Sequence, residues 1–198
     1  MRHYVIAMAA AVCAAATTVT TASAQVPLVP GALSISGGVE LPQGEGGTLL
    51  KQGITGAVGY RLGIPLTPFA VRAEAGISRF DADAGVRVAG VNLSSRGTTQ
   101  ILSVGASGEM TVLPLIVFRG YVVGGVNYSR ATGEYGVGSV AFASQENSGV
   151  GYSVGVGAEF RLPILPAAGV EVRYRYSPNV LGGVAGLRSI PVTVRLTF

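Results

Sequence analysis

From Ala32 to Phe198, apolar side chains recur at every second position in a series of short stretches, and the ionised residues in those stretches take the other parity. A period of two marks strands with one apolar and one polar face, because successive side chains point to opposite sides. The last stretch, Ile190–Phe198, shows the pattern plainly. Ile190, Val192, Val194, Leu196 and Phe198 alternate there with Pro191, Thr193, Arg195 and Thr197. Similar stretches are predicted at about Ala32–Leu41, Gly53–Ile64, Phe69–Ser78, Ile101–Val112, Val117–Ser129, Gly149–Leu162 and Val170–Ser177. Glu40, Arg61, Arg72, Glu74, Glu109, Arg119, Glu159, Arg161, Glu171, Arg173, Arg175 and Arg195 all lie opposite the apolar set.

The connections alternate in length. Pro65–Pro68, Leu113–Leu115 and Pro163–Gly169 are short, whereas Pro42–Gln52, Arg79–Gln100, Arg130–Ser148 and Pro178–Ser189 are long and read as loops. An even number of strands, with short turns on one side and longer loops on the other, predicts an all-β fold. The expected form is an eight-stranded antiparallel up-and-down transmembrane β-barrel. In such a barrel the apolar face meets lipid, where an Arg at mid-membrane costs about 2–4 kcal/mol, and the charges point inward. Parity alone leaves a soluble barrel open, with the faces reversed.

The amino terminus helps to decide. Met1-Arg2-His3 is a basic start, Tyr4–Ala16 is uncharged and mostly apolar, and Ala22-Ser23-Ala24 offers a cleavage site before Gln25. Residues 1–24 are therefore expected to be a signal peptide, and residues 25–198 the barrel domain. The apolar run falls short of the roughly 20 residues a membrane-crossing helix needs. Cleavage would remove the only Cys and the only His, Cys13 and His3. That leaves no thiol, no disulfide and no imidazole, so Ser-His-Asp hydrolysis and His/Cys metal sites are excluded. No catalytic site and no cofactor are expected. A formal net charge of +4, dispersed along the chain, gives no footprint for nucleic acid.

Strand direction places Arg61, Arg72, Glu74, Glu109, Arg119, Glu159, Arg161, Glu171, Arg173 and Arg195 towards one end of the interior, that of the short turns. The inward positions above them are small: Thr55, Ala57, Gly76, Ser103, Gly105, Gly125 and Ser153 among others. The expectation is an ion-pair plug low in the barrel with a narrow vestibule above it, since an unpaired buried charge is costly. Phe69, Phe118, Phe160 and Phe198 should form an aromatic belt at the short-turn end, and Tyr128, Tyr152 and Tyr176 a second at the other. Arg79 and Arg130 fall on the apolar parity just past their strands and are read as loop residues, with lipopolysaccharide phosphates as the sharper possibility for both.

Taken together, the inward Arg/Glu set and the V-T-V-R-L-T-F ending resemble the small outer-membrane β-barrels of the OmpA/OmpX and opacity-protein type, over essentially all of Pro30–Phe198. The resemblance implies a structural, adhesive or surface-protective protein of a Gram-negative-type outer membrane, or a narrow pore. It also implies outer-membrane lipid and lipopolysaccharide as surroundings, and recognition of the C-terminal strand by the barrel-assembly machinery through Val192, Val194, Leu196 and Phe198. A peptidoglycan-binding domain after the barrel is not expected. The leading reading is a non-enzymatic protein whose loops are presented by a rigid barrel. Small-solute transport and a soluble periplasmic barrel carrying an apolar ligand are the alternatives. No extracellular partner can be named from the loops.

Overall fold

The computed structural model describes residues 31–44, 50–88, 91–137, 140–161, 165–178 and 186–198, with side chains described outside 82–96 and 134–146. The leader expected at 1–24 lies outside this set. Eight strands follow one another around a closed barrel: β1 Gly31–Gln43, β2 Gly53–Gly63, β3 Phe69–Val88, β4 Val91–Pro114, β5 Phe118–Val137, β6 Val140–Phe160, β7 Ala167–Ser177 and β8 Leu187–Thr197. Every neighbouring pair is antiparallel, and β8 closes the ring against β1 from Ser34↔Thr197 to Gln43↔Arg188. Closure leaves no lipid-exposed sheet edge, which the bilayer would penalise. One gap is chemical in origin. The β7–β8 ladder skips from Val172↔Val192 to Arg175↔Ser189 around Pro191, which has no N–H to donate.

Burial identifies the inward face. Ile54, Val58, Leu102, Val126, Val150, Val154 and Val194 are more than half exposed on the outer wall, whereas Glu40, Arg72, Glu109 and Glu171 are almost wholly buried. A soluble barrel carrying an apolar ligand would show the reverse. The inverted arrangement suits lipid outside and polar pairing within.

The main departure from the sequence reading is at the long connections. Arg79–Gln100 and Arg130–Ser148 are not loops but continuations of the β3–β4 and β5–β6 ladders. The first stays in register from Arg79↔Gln100 to Val88↔Val91, and the second pairs from Arg130↔Ser148 to Val137↔Val140 with one register shift between Gly133 and Tyr135. β4 and β5 also stay paired as far as Ser95↔Val137. A four-stranded sheet therefore stands beyond the barrel on one side. Its sequence is more polar, so the period-two contrast fades, but Val86, Val88, Val91, Leu93, Thr98 and Thr99 keep the β-branched and aliphatic character that favours extended pairing. A register shift at Val112 lets both Val112 and Leu113 face outward at the opposite end.

Candidate functional site

Inward positions two apart on a strand stand one above the other, so Glu159 and Arg161, Arg72 and Glu74, and Glu171 and Arg173 each form a ready-made vertical pair. Strand closure then brings these pairs face to face across the axis. Glu171 accepts from Tyr121 Oη at 2.8 Å and from Arg72 at 3.0 Å, and pairs with Arg195 at 2.7 Å and with Arg173 Nε. Glu109 is shared by Arg61 at 2.9 Å, Arg72 at 3.4 Å and Arg119 Nη1. Glu159 binds Arg119 at 3.1 Å and Arg161 at 2.7 Å, and Glu74 binds Arg173 at 2.8 Å, Arg72 at 3.3 Å and Arg195 at 3.6 Å. The charged residues singled out from the sequence thus lie in one connected network at the short-turn end. Long, forked guanidinium arms suit it because each can serve two carboxylates at once.

Tyr121 is the member that sequence reasoning missed. It is buried, it donates to Glu171, and it accepts from Arg195 Nη1 at 2.8 Å. Arg119 lies over its ring at 4.8 Å from the centroid, within cation–π range. Room for the ring comes from Gly157, where any Cβ would run into it. The available signal was an inward-facing aromatic among small inward neighbours.

Above the network lies a cavity of about 50 Å³, lined by Ser36, Thr55, Ala57, Gly76, Ser103 and Asn127 among others. By volume it could hold about three or four waters. Glu40 caps this level, accepting from Ser78 and Ser189 Oγ and lying 3.5 Å from Arg175. The small residues expected to line a narrow vestibule, Thr55, Ala57, Gly76, Ser103, Gly105 and Ser153, border this cavity, and apolar side chains lie beyond it. Leu50, Phe80, Ile101, Ala131 and Leu187 form a buried cluster, with Phe80 at 0% exposure. Phe80 belongs to the part of β3 that was expected to be loop. Because the strand runs on, the residue keeps its inward parity and plugs the mouth.

On the outer wall, Tyr128 and Tyr152 are exposed near the far end, and Tyr152 stacks at a tilt on Tyr176 with ring centroids 5.4 Å apart. Phe69, Phe160 and Phe198 are half exposed at the short-turn end, with Phe118 more covered. Arg79 and Arg130 lie within β3 and β5 rather than in loops, exposed on the outer wall, as is Arg188 of β8. Asp81 and Asp83 sit in the extended β3 ladder opposite Thr98 and Arg96.

Known proteins place this architecture. Among solved structures the chain is similar to Ail, the attachment invasion locus protein of Yersinia pestis, with a TM-score of 0.54 and 16% identity over 85% of this chain and 97% of that one. Neisserial surface protein A aligns with a TM-score of 0.58 and 15% identity over 85% and 96% of the two chains. A major outer membrane protein from Thermus thermophilus aligns with a TM-score of 0.52 and 15% identity over 85% and 100%. These likenesses show the fold. No curated protein matches the sequence. The model of the outer membrane protein β-barrel domain matches residues 5–195, nearly the whole chain. With a closed eight-stranded barrel, lipid-facing apolar walls and a buried ionic interior, the chain belongs to the outer membrane protein β-barrel family and resides in the outer membrane of a Gram-negative-type bacterium.

Proposed function

We propose that this is a non-enzymatic surface-presentation protein: the barrel is a sealed anchor, and the projecting β3–β6 sheet is the element offered to partners outside the cell. One observation carries this reading. The ladders continue past the apolar plug to Val88↔Val91 and Val137↔Val140, so among the described residues the β3–β4 and β5–β6 connections present a hydrogen-bonded sheet rather than loops. Among the described residues, β2 pairs with β3 only as far as Arg79 and β7 pairs with β6 only from Tyr152, with Lys51 N reaching Asp81 O beyond. Two backbone edges therefore run up the projecting sheet, and such edges can receive an extended peptide as an added strand. Ail was solved with the heparin analogue sucrose octasulfate. A similar preference for anionic groups here would fall to the exposed rim arginines.

Shortening both hairpins to turns just beyond Thr99 and Thr132 should leave a heat-modifiable folded band. It should also abolish adhesion of expressing bacteria to plates coated with sulfated glycans or matrix proteins. Unchanged adhesion would refute the presentation reading. For transport, planar-bilayer recordings of the wild type and of Glu109→Gln with Arg119→Gln should both be silent, because the plug lies above either form of the network; steady conductance in the wild type would restore the pore reading. Lipopolysaccharide is proposed as the rim ligand of Arg79 and Arg130. Replacing both with Gln should lower its co-purification, and an unchanged lipopolysaccharide content would remove that role. Export is proposed to end with cleavage after Ala24, giving Gln25 as the amino terminus in sequencing of the outer-membrane form. Recognition of the C-terminal strand by the assembly machinery is proposed to run through the outward Val192, Val194, Leu196 and Phe198.

A further inference from the structure

The three short turns are free of charge. No ionisable side chain occurs in Leu62–Ala70, Met110–Phe118 or Leu162–Val170. The tips are aliphatic instead. Ile64 N donates to Phe69 O at 3.0 Å across the first turn, and Leu115 N to Phe118 O at 2.9 Å across the second. Leu66 and Ile116 stand at these tips, Leu66 fully exposed and Ile116 97% exposed, and Leu115 and Leu165 are well over half exposed. Turns in water favour Gly, Pro, Asn, Asp and Ser, and beside Pro65, Pro68, Pro114 and Pro166 the remaining tip positions here go mainly to Leu and Ile. Leu66 is instead held at φ 63°, a left-handed conformation that costs a branched-chain residue free energy and that Gly or Asn would adopt more readily.

The outer wall leads into these tips without a break. Ile64, Phe69, Val112, Leu113, Val117, Phe160, Leu196 and Phe198 are all exposed around the same end. The two aromatic belts also differ in kind. The far belt is made of Tyr, whose hydroxyl needs the wet side of an interface, and Arg79, Arg130 and Arg188 lie near that end of the barrel. The belt at the turn end is made mainly of Phe, which has no polar tip and is at home within hydrocarbon, while the exposed Tyr60 turns its hydroxyl to Gly31 at the start of β1. On this side the boundary between lipid and water therefore lies beyond the Phe rings, at the level of the turns.

We infer that the three turns insert into the phospholipid of the periplasmic leaflet. Leu66, Leu115, Ile116 and Leu165 then act as a ring of apolar anchors, among headgroups and the upper acyl chains. The barrel is fixed in depth from its inner end, while its outer end carries the projecting sheet.

The chain contains no Trp, so one introduced indole reports alone. Leu66→Trp and Ile116→Trp, each folded into phosphatidylcholine vesicles, are compared with Gln52→Trp, which places the indole on an exposed connection at the opposite end. The anchored indoles should emit further to the blue, be quenched by phospholipid brominated near the headgroup, and resist aqueous acrylamide. Emission and acrylamide quenching equal to those of Gln52→Trp would overturn the inference. So would indoles that are shielded only after periplasmic extract is added, since a protein would then be the occupant. If either Trp variant fails to give the heat-modifiable folded band, Leu66→Asp combined with Ile116→Asp supplies the second measurement. That double change should lower the urea midpoint for unfolding from vesicles, and an unchanged midpoint counts against insertion.

Discussion

Glu171 is the point at which the interior network is most sensitive. Its carboxylate accepts a hydrogen bond from the Tyr121 hydroxyl and pairs with Arg72, Arg173 and Arg195, and the residue is almost wholly buried. Glu171→Gln keeps the shape but removes the charge, and its amide adds N–H groups facing guanidiniums that have nothing to accept with. Removing one partner of a buried pair costs about 3–5 kcal/mol. Glu74 still reaches the same three arginines, at 2.8 to 3.6 Å, and offsets part of the loss. The expected cost is therefore near the lower bound, about 3 kcal/mol, or roughly a hundredfold in the unfolding equilibrium. The assay is urea unfolding of the protein in phospholipid vesicles, with the heat-modifiable gel band as the measure of folded protein. Arg161→Gln is the internal control. Its side chain is nearly half exposed, and an exposed pair contributes at most about 1 kcal/mol. Adding Arg195→Gln to Glu171→Gln removes a cation that has lost its nearer carboxylate and keeps only Glu74 at 3.6 Å, so the double variant should be less destabilised than the two single losses summed, by about 1–3 kcal/mol. Glu171→Gln no more destabilised than Arg161→Gln would refute the picture of a water-poor, mutually compensated network.

Three further outcomes follow from the packing. Phe80→Ala combined with Leu187→Ala opens the plug and should produce ion conductance in planar bilayers where the wild type gives none; silence in the double variant would mean that something else closes the mouth. Gly157→Ala drives a methyl group into the Tyr121 ring and should cost about 1–3 kcal/mol in the same urea assay, with a less than additive loss when Tyr121→Leu is added. Deleting Phe198 removes the residue whose N–H donates to Leu33 O at 2.8 Å where β8 meets β1, and should lower the outer-membrane level of the protein. Normal levels of the truncated chain would dispose of the assembly role.

The barrel wall was legible because its rule is local. Each strand that crosses lipid must show an apolar face to one side, and residues such as Val150, Tyr152, Val154 and Val156 display it without reference to any other strand. The projecting sheet was not legible for the same reason. Once a hairpin leaves the membrane both faces can be polar, the alternation loses its contrast, and Arg79–Gln100 reads as a loop although its backbone stays paired to Val88↔Val91. Ending β3 at Ser78 also removed Phe80 from the interior, and with it the plug. With the strand ended there, the narrow space above the network reads as a vestibule without its apolar cover.

Height within the barrel is harder to read than facing, because no single strand contains it. Parity says that Glu40, Tyr121 and Arg175 point inward, but which of them meet depends on the tilt and stagger with which the strands close. Glu40 of β1 and Arg175 of β7 stand far apart in the chain and meet only because β8 lies between them, pairing Glu40 with Pro191 on one side and Arg175 with Ser189 on the other. Tyr121 comes level with Glu171 and Arg195 by the same offset, summed across β5, β6, β7 and β8. The low position of most charges needed no such sum, since each of Arg119, Glu159, Arg161 and Arg195 is within a few residues of a strand end at the turns. Sequence therefore located the charged layer through strand ends, whereas the aromatic at its centre and the Glu40 layer above it came into view only with the closed register.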